Sequence, residues 1–391
     1  MPVRNSYTTS RQQGSVIVFG ALALVVLAGM ATLAVDYGFL QYKRSQLQNA
    51  ADAAAIAGAA ELLRSGGNLG AATETAVRFG QANLGDQDIP SVAVTDGDVA
   101  FYQGETPVES GSADTVGVSV GRTLARGNAV DMFLGPILGW NTQNLTATAR
   151  ASLFCSEQTH CLKPFSPPAK FTWDDSCDPN IRLRNNGAFD PESVCETASV
   201  VVLGYGPSDM GTRITLKLGD TSNTVVPGHF NPVDYPAVNR GTPESGASTY
   251  RLNIAGCMGS NNTVVGVGDE LQIEPGNMVG PTRQGLDDVF GADPDAVWDA
   301  DSKAITGSRF SDPMKSPRVA LIPFYDPSRP QMSGRNTIFV YQLGAVFIES
   351  LDSHGNVSGR FLRAMAVNPH RNPGMPCGAD SVALFGVGLV K

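Results

Sequence analysis

Hydrophobic and polar positions change their pattern several times along the chain. Residues 12–35 carry no charged side chain, a run of about 24 residues. As a helix at about 1.5 Å per residue it reaches roughly 36 Å, enough for a hydrocarbon core of about 30 Å. The run does not end in a loop. From Asp36 to Arg64 apolar or small residues recur every three or four positions, at Tyr37, Leu40, Leu47, Ala51, Ala54, Gly58 and Leu62. That spacing predicts one helix continuing out of the apolar run. Alanine and leucine favour it, no proline interrupts it, and Ser65-Gly66-Gly67 supplies the stop.

A second helix is expected over residues 69–82. "SVAVTDGDVAFYQ" and "DTVGVSVGR" then alternate as strands around a polar turn, "AVDMFLGPILG" reads as a short helix or turn, and "NLTATARASLF" as another strand. Together they predict a small α+β module over 65–152. The Cys- and Pro-rich "CSEQTHCLKPFSPPAKFTWDDSC" reads as a stapled linker over 153–195. Beyond it, β-branched runs such as "RVALIPFY" and "NTIFVYQLGAVFIESL" predict a mostly β domain over 196–391. The expected class is therefore α+β: a tail over 1–13, a transmembrane helix over 14–36, a stalk helix over 37–64, then the module, linker and β domain.

The stalk's stripe is built of small side chains, which let another backbone come close. Leu47, Ala51, Ala54 and Gly58 form its packing seam. Two partners fit it: the chain's own following domain, or a helix of another chain.

Charge and cysteine usage narrow the setting. A formal net charge of -9 argues against nucleic acid, which needs a basic face. The apolar run exceeds the 7–15 residues or so of a signal-peptide core, so a retained anchor is expected, although Ala31 and Ala34 could serve as small residues at a cleavage site. Arg4 and Arg11 precede the span and Lys43 and Arg44 follow it, which nearly balances the positive-inside rule. Six cysteines, Cys155, Cys161, Cys177, Cys195, Cys257 and Cys377, follow this export-like start. An even set of this kind reads as a disulfide framework in an oxidising space, with about 15 pairings open. The expected topology has the N-terminus inside and the bulk outside.

Candidate chemistry is sparse. "GVSVG" (residues 117–121) matches the spacing of a nucleophile elbow, but Ser119 continues the alternation of Val116, Val118 and Val120 and so belongs to a strand. "DTSNT" (residues 220–224) offers Asp220 and hydroxyls to a divalent cation, but a proline-rich stretch follows where that motif needs a helix. "DPDAVWDAD" (residues 293–301), with Asp287 and Asp288 before it, offers carboxylates without the EF-hand spacing. Cys155, His160 and Cys161 lack the usual zinc-site Cys spacing, and His229, His354 and His370 have no evident partners. No enzyme and no cofactor is expected.

The stretch "RQQGSVIVFGALALVVLAGMATLAVDYGFLQYKRSQLQNAADAAAIAGAAELL" resembles the start of the TadE/TadG-like family of tight-adherence (Flp) pilus-assembly proteins. "VDMFLGPILGWNTQNLTATARASL" is similar to that family's following module. "YRLNIAGC", "EPGNMVGPTRQGLDDVFGADPDAVWD" and "SPRVALIPFYDP" are similar in their order to the extracytoplasmic region of TadG-like members. Prepilin-type cleavage in the TadE-like branch uses a Gly with Glu five residues on. Here Phe19 stands five after Gly14, which favours the TadG-like branch with its retained anchor. The resemblance implies a single-pass protein of the bacterial inner membrane, its bulk periplasmic or extracellular. It implies contacts with other pilus components, pilin among the candidates, and brings no catalytic residue. On this reading Asp36 and Lys43 set the helix at the membrane surface. The alternative is a membrane-tethered binding or adhesion protein holding Ca²⁺ or Mg²⁺ at Asp220 or in the 293–301 loop.

Overall fold

A computed structural model describes residues 13–84, 94–109, 111–219, 230–329, 336–370 and 384–390. The chain divides into two compact units, residues 1–152 with 387–391, and residues 153–386.

The first unit begins with α1 (Gln13–Arg64), one helix of 52 residues. It ends as the glycines require. Gly66 N–H donates to Leu63 O and Gly67 N–H to Leu62 O, with φ of 65° and 91° at the two glycines, a backbone that disfavours side chains. Asn68 then caps α2 (Leu69–Ala82), its side chain accepting from Ala71 N–H. The buried face of α2 is Ala72, Ala76 and Gly80. Four neighbouring antiparallel strands follow, β1 (Val99–Gln103), β2 (Thr106–Pro107), β3 (Thr115–Arg122) and β4 (Leu145–Cys155), in the order β2-β1-β3-β4. Gly117 of β3 leaves room for the Tyr102 ring, on which the Arg150 guanidinium lies 4.2 Å from the centroid.

The second unit is mostly β. Its main sheet contains β5 (Arg213–Lys217), β6 (Val233–Asp234), β7 (Glu270–Ile273), β8 (Val319–Tyr325), β9 (Thr337–Leu351) and β10 (Val357–Leu362). The order is β5-β10-β9-β7-β6, with β8 also pairing with β9, antiparallel throughout. β9 reads as a nearly unbroken apolar run because both of its faces are covered. Val346 and Ile348 face one core, Ala345 and Phe347 the other. After the five-residue α3 (Val194–Ala198), two longer helices, α4 (Ala247–Ala255) and α5 (Val279–Ala292), bring Tyr250, Ile254, Leu286 and Val289 to the first of these cores. They approach closely at Gly285, where a Cβ would stand 2.7 Å from that of Ile254. A short parallel pair, β11 (Ala364–Met365) with β12 (Leu384–Val390), joins Ala364 to Leu384 and Met365 to Phe385.

The Cys- and Pro-rich stretch, expected as a linker, is instead part of this second unit. Leu162, Phe165 and Ala169 are fully buried in its cores. Cys161 is bonded to Cys257, Asn261 Nδ2 donates to Leu162 O (3.0 Å) and Gly256 O (2.9 Å), and Lys163 Nζ donates to Ile254 O. The carbonyls that α4 leaves open at its C-terminus are thereby satisfied by side chains from this segment and the loop after α4. A second disulfide joins Cys177 to Cys195. Cys155 is also disulfide-bonded, and Cys377 lies outside the described residues.

Two buried lysines give this unit a pH signature. Burial holds both Lys163 and Lys217 down to about 8, against roughly 10.4 in an unfolded chain. Between those values the unfolded state binds more protons, so stability rises with pH; below about 8 the whole penalty is present. The effect is up to about 3 kcal/mol for each lysine over the full window. Burial pushes the hydroxyls of Tyr235, Tyr250 and Tyr325 up, which acts in the opposite direction above about pH 10. Denaturant unfolding should therefore show stability climbing from about pH 8 to 9.5, and Lys163→Met should reduce the climb to about half, the Lys217 share remaining. A flat profile in the unmodified chain would remove this account.

Candidate functional site

The same helix meets two environments, and its side chains show where one gives way to the other. Apolar residues in the first half stand open, with Ile17 74% exposed, whereas Leu47 is 1% exposed and Ala51 and Ala54 are fully buried. Among the described residues, α1 is the one helix long and apolar enough to cross a membrane. An open apolar surface of this length is unfavourable in water and favourable in lipid.

The seam predicted at Leu47, Ala51, Ala54 and Gly58 is occupied within the chain. A Cβ on Gly58 would lie 3.1 Å from Ala76 Cβ and 3.1 Å from Val116 Cγ1, and one on Gly80 would lie 3.2 Å from Ala54 Cβ. The two glycines thus face alanines on the opposite helix, four residues apart on each, which lets antiparallel α1 and α2 approach closely. Of the two partners the spacing allowed, the structure supplies the chain's own α2 and β3. Gln48 Nε2 adds a bond to Thr148 O at 3.1 Å. In the helix's last turn, Glu61 accepts both arms of Arg64, at 2.6 and 2.5 Å.

Asp36, expected at the membrane boundary, is only 3% exposed and grips a distant loop. Its Oδ1 accepts from Phe133 N–H (2.9 Å) and Leu134 N–H (2.9 Å), and its Oδ2 from Leu134 N–H (3.2 Å). A carboxylate taking several backbone N–H bonds is a strong, directional tie. Gly135 is needed beside it, because a Cβ there would stand 2.5 Å from Trp140 O and 3.2 Å from Asp36 Oδ2. The loop is held from its other side by a short antiparallel stem, Val130–Asp131 against Thr142–Gln143. Nothing in the spacing of the sequence ties residue 36 to residue 133, since the acceptors' partners are main-chain groups. The run "MFLGPILGW" between polar neighbours was the available signal. Lys43 Nζ lies 5.6 Å from the Phe39 ring centre and 5.9 Å from that of Tyr42, a cation over aromatics one to two turns beyond Asp36.

Other candidate groups are used locally. Ser119 sits mid-strand opposite Thr148, without the sharp turn a nucleophile requires. Asp293 accepts from Ser308 Oγ (2.7 Å) and Arg309 N–H (2.9 Å). Burial alone would raise its carboxyl, but these bonds and the Ser316 hydroxyl hold it below the usual range. Asp299 Oδ1 accepts from the N–H groups of Asp301 and Ser302 in a turn, and Asp288 lies 3.3 Å from Arg251. Asp220 and His229 lie outside the described residues. The disulfides leave neither Cys155 nor Cys161 as a thiolate for zinc. Among the described residues no group of three or more His, Cys, Asp and Glu is placed to hold a metal ion.

Residues 14–61 match the family model described as "Putative Flp pilus-assembly TadE/G-like". No curated protein and no solved structure matches the chain.

Proposed function

We propose that this chain, TadE/G-like over residues 14–61, is a membrane-anchored component that assists the assembly or anchoring of Flp/Tad pili. It acts through protein contacts and without turnover chemistry. It belongs to the TadG-like branch, with its N-terminus inside, its anchor in the bacterial inner membrane and its bulk outside the cytoplasm.

The observation that carries this reading is the unbroken α1, open and apolar through its first half and built into a folded module through its second. Cleavage after Ala31 or Ala34 would cut this helix within a turn or two of the Asp36 tie. A retained span uses both halves. The disulfide-bonded second unit suits an oxidising compartment. Because the small-residue seam is filled by the chain's own α2, pilus components would meet a different surface.

Deleting the gene in its native host and counting sheared surface fibres tests the reading. Fibres should be lost and return with a plasmid-borne copy. A normal fibre number in the deletion strain would sink it.

A further inference from the structure

Beyond α1, the loop at residues 132–140 carries an unusual share of the first unit's open apolar surface. Nine consecutive residues, "MFLGPILGW", carry no charge, and three of them stand open: Phe133 at 74% exposed, Ile137 at 75% and Trp140 at 58%. Isolated apolar residues on a surface need no explanation, but three large ones on one short loop do.

The position of this loop is fixed by the helix. Asp36 is the first charge after the apolar run, and the N–H groups of Phe133 and Leu134 are bonded to it. Thr32, one turn further into the apolar half, is also buried. The loop is therefore clasped to α1 at the level where the helix leaves the hydrocarbon.

Its main chain is prepared for a medium poor in water. Met132 N–H donates to Asn141 O, Ile137 N–H to Leu134 O, Gly139 N–H to Pro136 O and Trp140 N–H to Gly135 O. With the N–H groups of Phe133 and Leu134 bonded to Asp36, and with Pro136 carrying no N–H, most of its donors are already satisfied. Exposed backbone donors are what keep irregular loops out of lipid.

We propose that this loop is a second membrane contact, with Phe133, Ile137 and Trp140 seated in the headgroup and acyl boundary of the bilayer that α1 crosses. The occupant is lipid, argued from continuity with the span and from the level of Asp36. Tryptophan and an aliphatic neighbour at that depth are what an interface favours. The clasp then holds the module against the bilayer at a point beside the helix. The inference rests on the anchoring reading above.

The full chain, reconstituted in phosphatidylcholine vesicles, supplies the test. It has three tryptophans, of which Trp173 and Trp298 lie in the second unit. Subtracting the emission of a Trp140→Phe chain isolates Trp140, an exposed position where this change is mild. Vesicles whose lipids are brominated near the headgroup end of the acyl chain should quench that difference signal by roughly half, more than lipids brominated near the bilayer centre. Iodide in the water should quench it little. Flotation of the vesicles after an alkaline wash reports the anchor separately.

If the chain floats but Trp140 ignores both brominated lipids, the inference is overturned and the anchor stands. Iodide then tells whether water or a protein surface covers the loop. If the chain does not float, the anchoring reading fails and takes the inference with it.

Discussion

A Gly58→Leu chain should lose the docking of α2 on α1. The space for it does not exist: even a Cβ at this position would press on Ala76 and Val116 at 3.1 Å, and leucine adds three further carbons. Neither neighbour is the yielding tip of a long side chain; one is a helical alanine, the other a β-branched strand residue. Overpacking of this kind costs about 1–3 kcal/mol, and hydrogen-exchange protection across Leu69–Ala82 should fall by roughly 10- to 100-fold. Ile56→Ala, on the exposed side of the same helix, should change stability by no more than about 0.5 kcal/mol. Unchanged protection in α2 together with lost binding to other pilus components would mean that the Gly58 face meets another chain after all.

Removing the Cys161–Cys257 bond by Cys161→Ser and Cys257→Ser should destabilise the second unit more than removing Cys177–Cys195. The cysteines are 96 residues apart, whereas Cys177 and Cys195 are 18 apart. In the chain-entropy account the longer loop is worth about 4.5 kcal/mol and the shorter about 3 kcal/mol. For a domain of this size the longer one corresponds to a fall in melting temperature of about 9–18 °C. Cys161 has φ of 61°, uncommon for a residue other than glycine, so the surrounding structure holds it in place. It sits beside the bonds that Asn261 gives Asn253 O and Gly256 O and Lys163 gives Ile254 O at the end of α4. Scanning calorimetry of the two double variants gives the comparison. Equal falls would show that loop length is not the deciding quantity.

Much of the first unit was legible because helices announce themselves by spacing. The stop at Ser65-Gly66-Gly67 and the span Leu69–Ala82 follow from local residue types acting on their own backbone. The small residues of the stripe could be read from spacing, but which backbone they meet could not. Ala51, Ala54 and Gly58 invite any backbone of the right shape, and nothing in a stripe of small residues says which chain provides it. The segment 153–195 misled for a different reason. Cys, Pro and polar residues there make few regular hydrogen bonds, so no period appears, yet Leu162, Phe165 and Lys163 are buried by elements far along the chain. The hold of Asp36 on Phe133 and Leu134 was invisible because it is made to main-chain groups 97 and 98 residues away.

The continuity of α1 makes it a lever. Twenty-eight residues separate Asp36 from Arg64, about 42 Å of helix. Membrane spans adopt tilts from about 0 to 40° and adjust them to bilayer thickness. A retilt of about 10° swings the far end by about 7 Å, carrying α2 and β3 with it, since both are packed on the same shaft. In a bilayer, thickness would thereby bear on how the folded module beyond the span is presented.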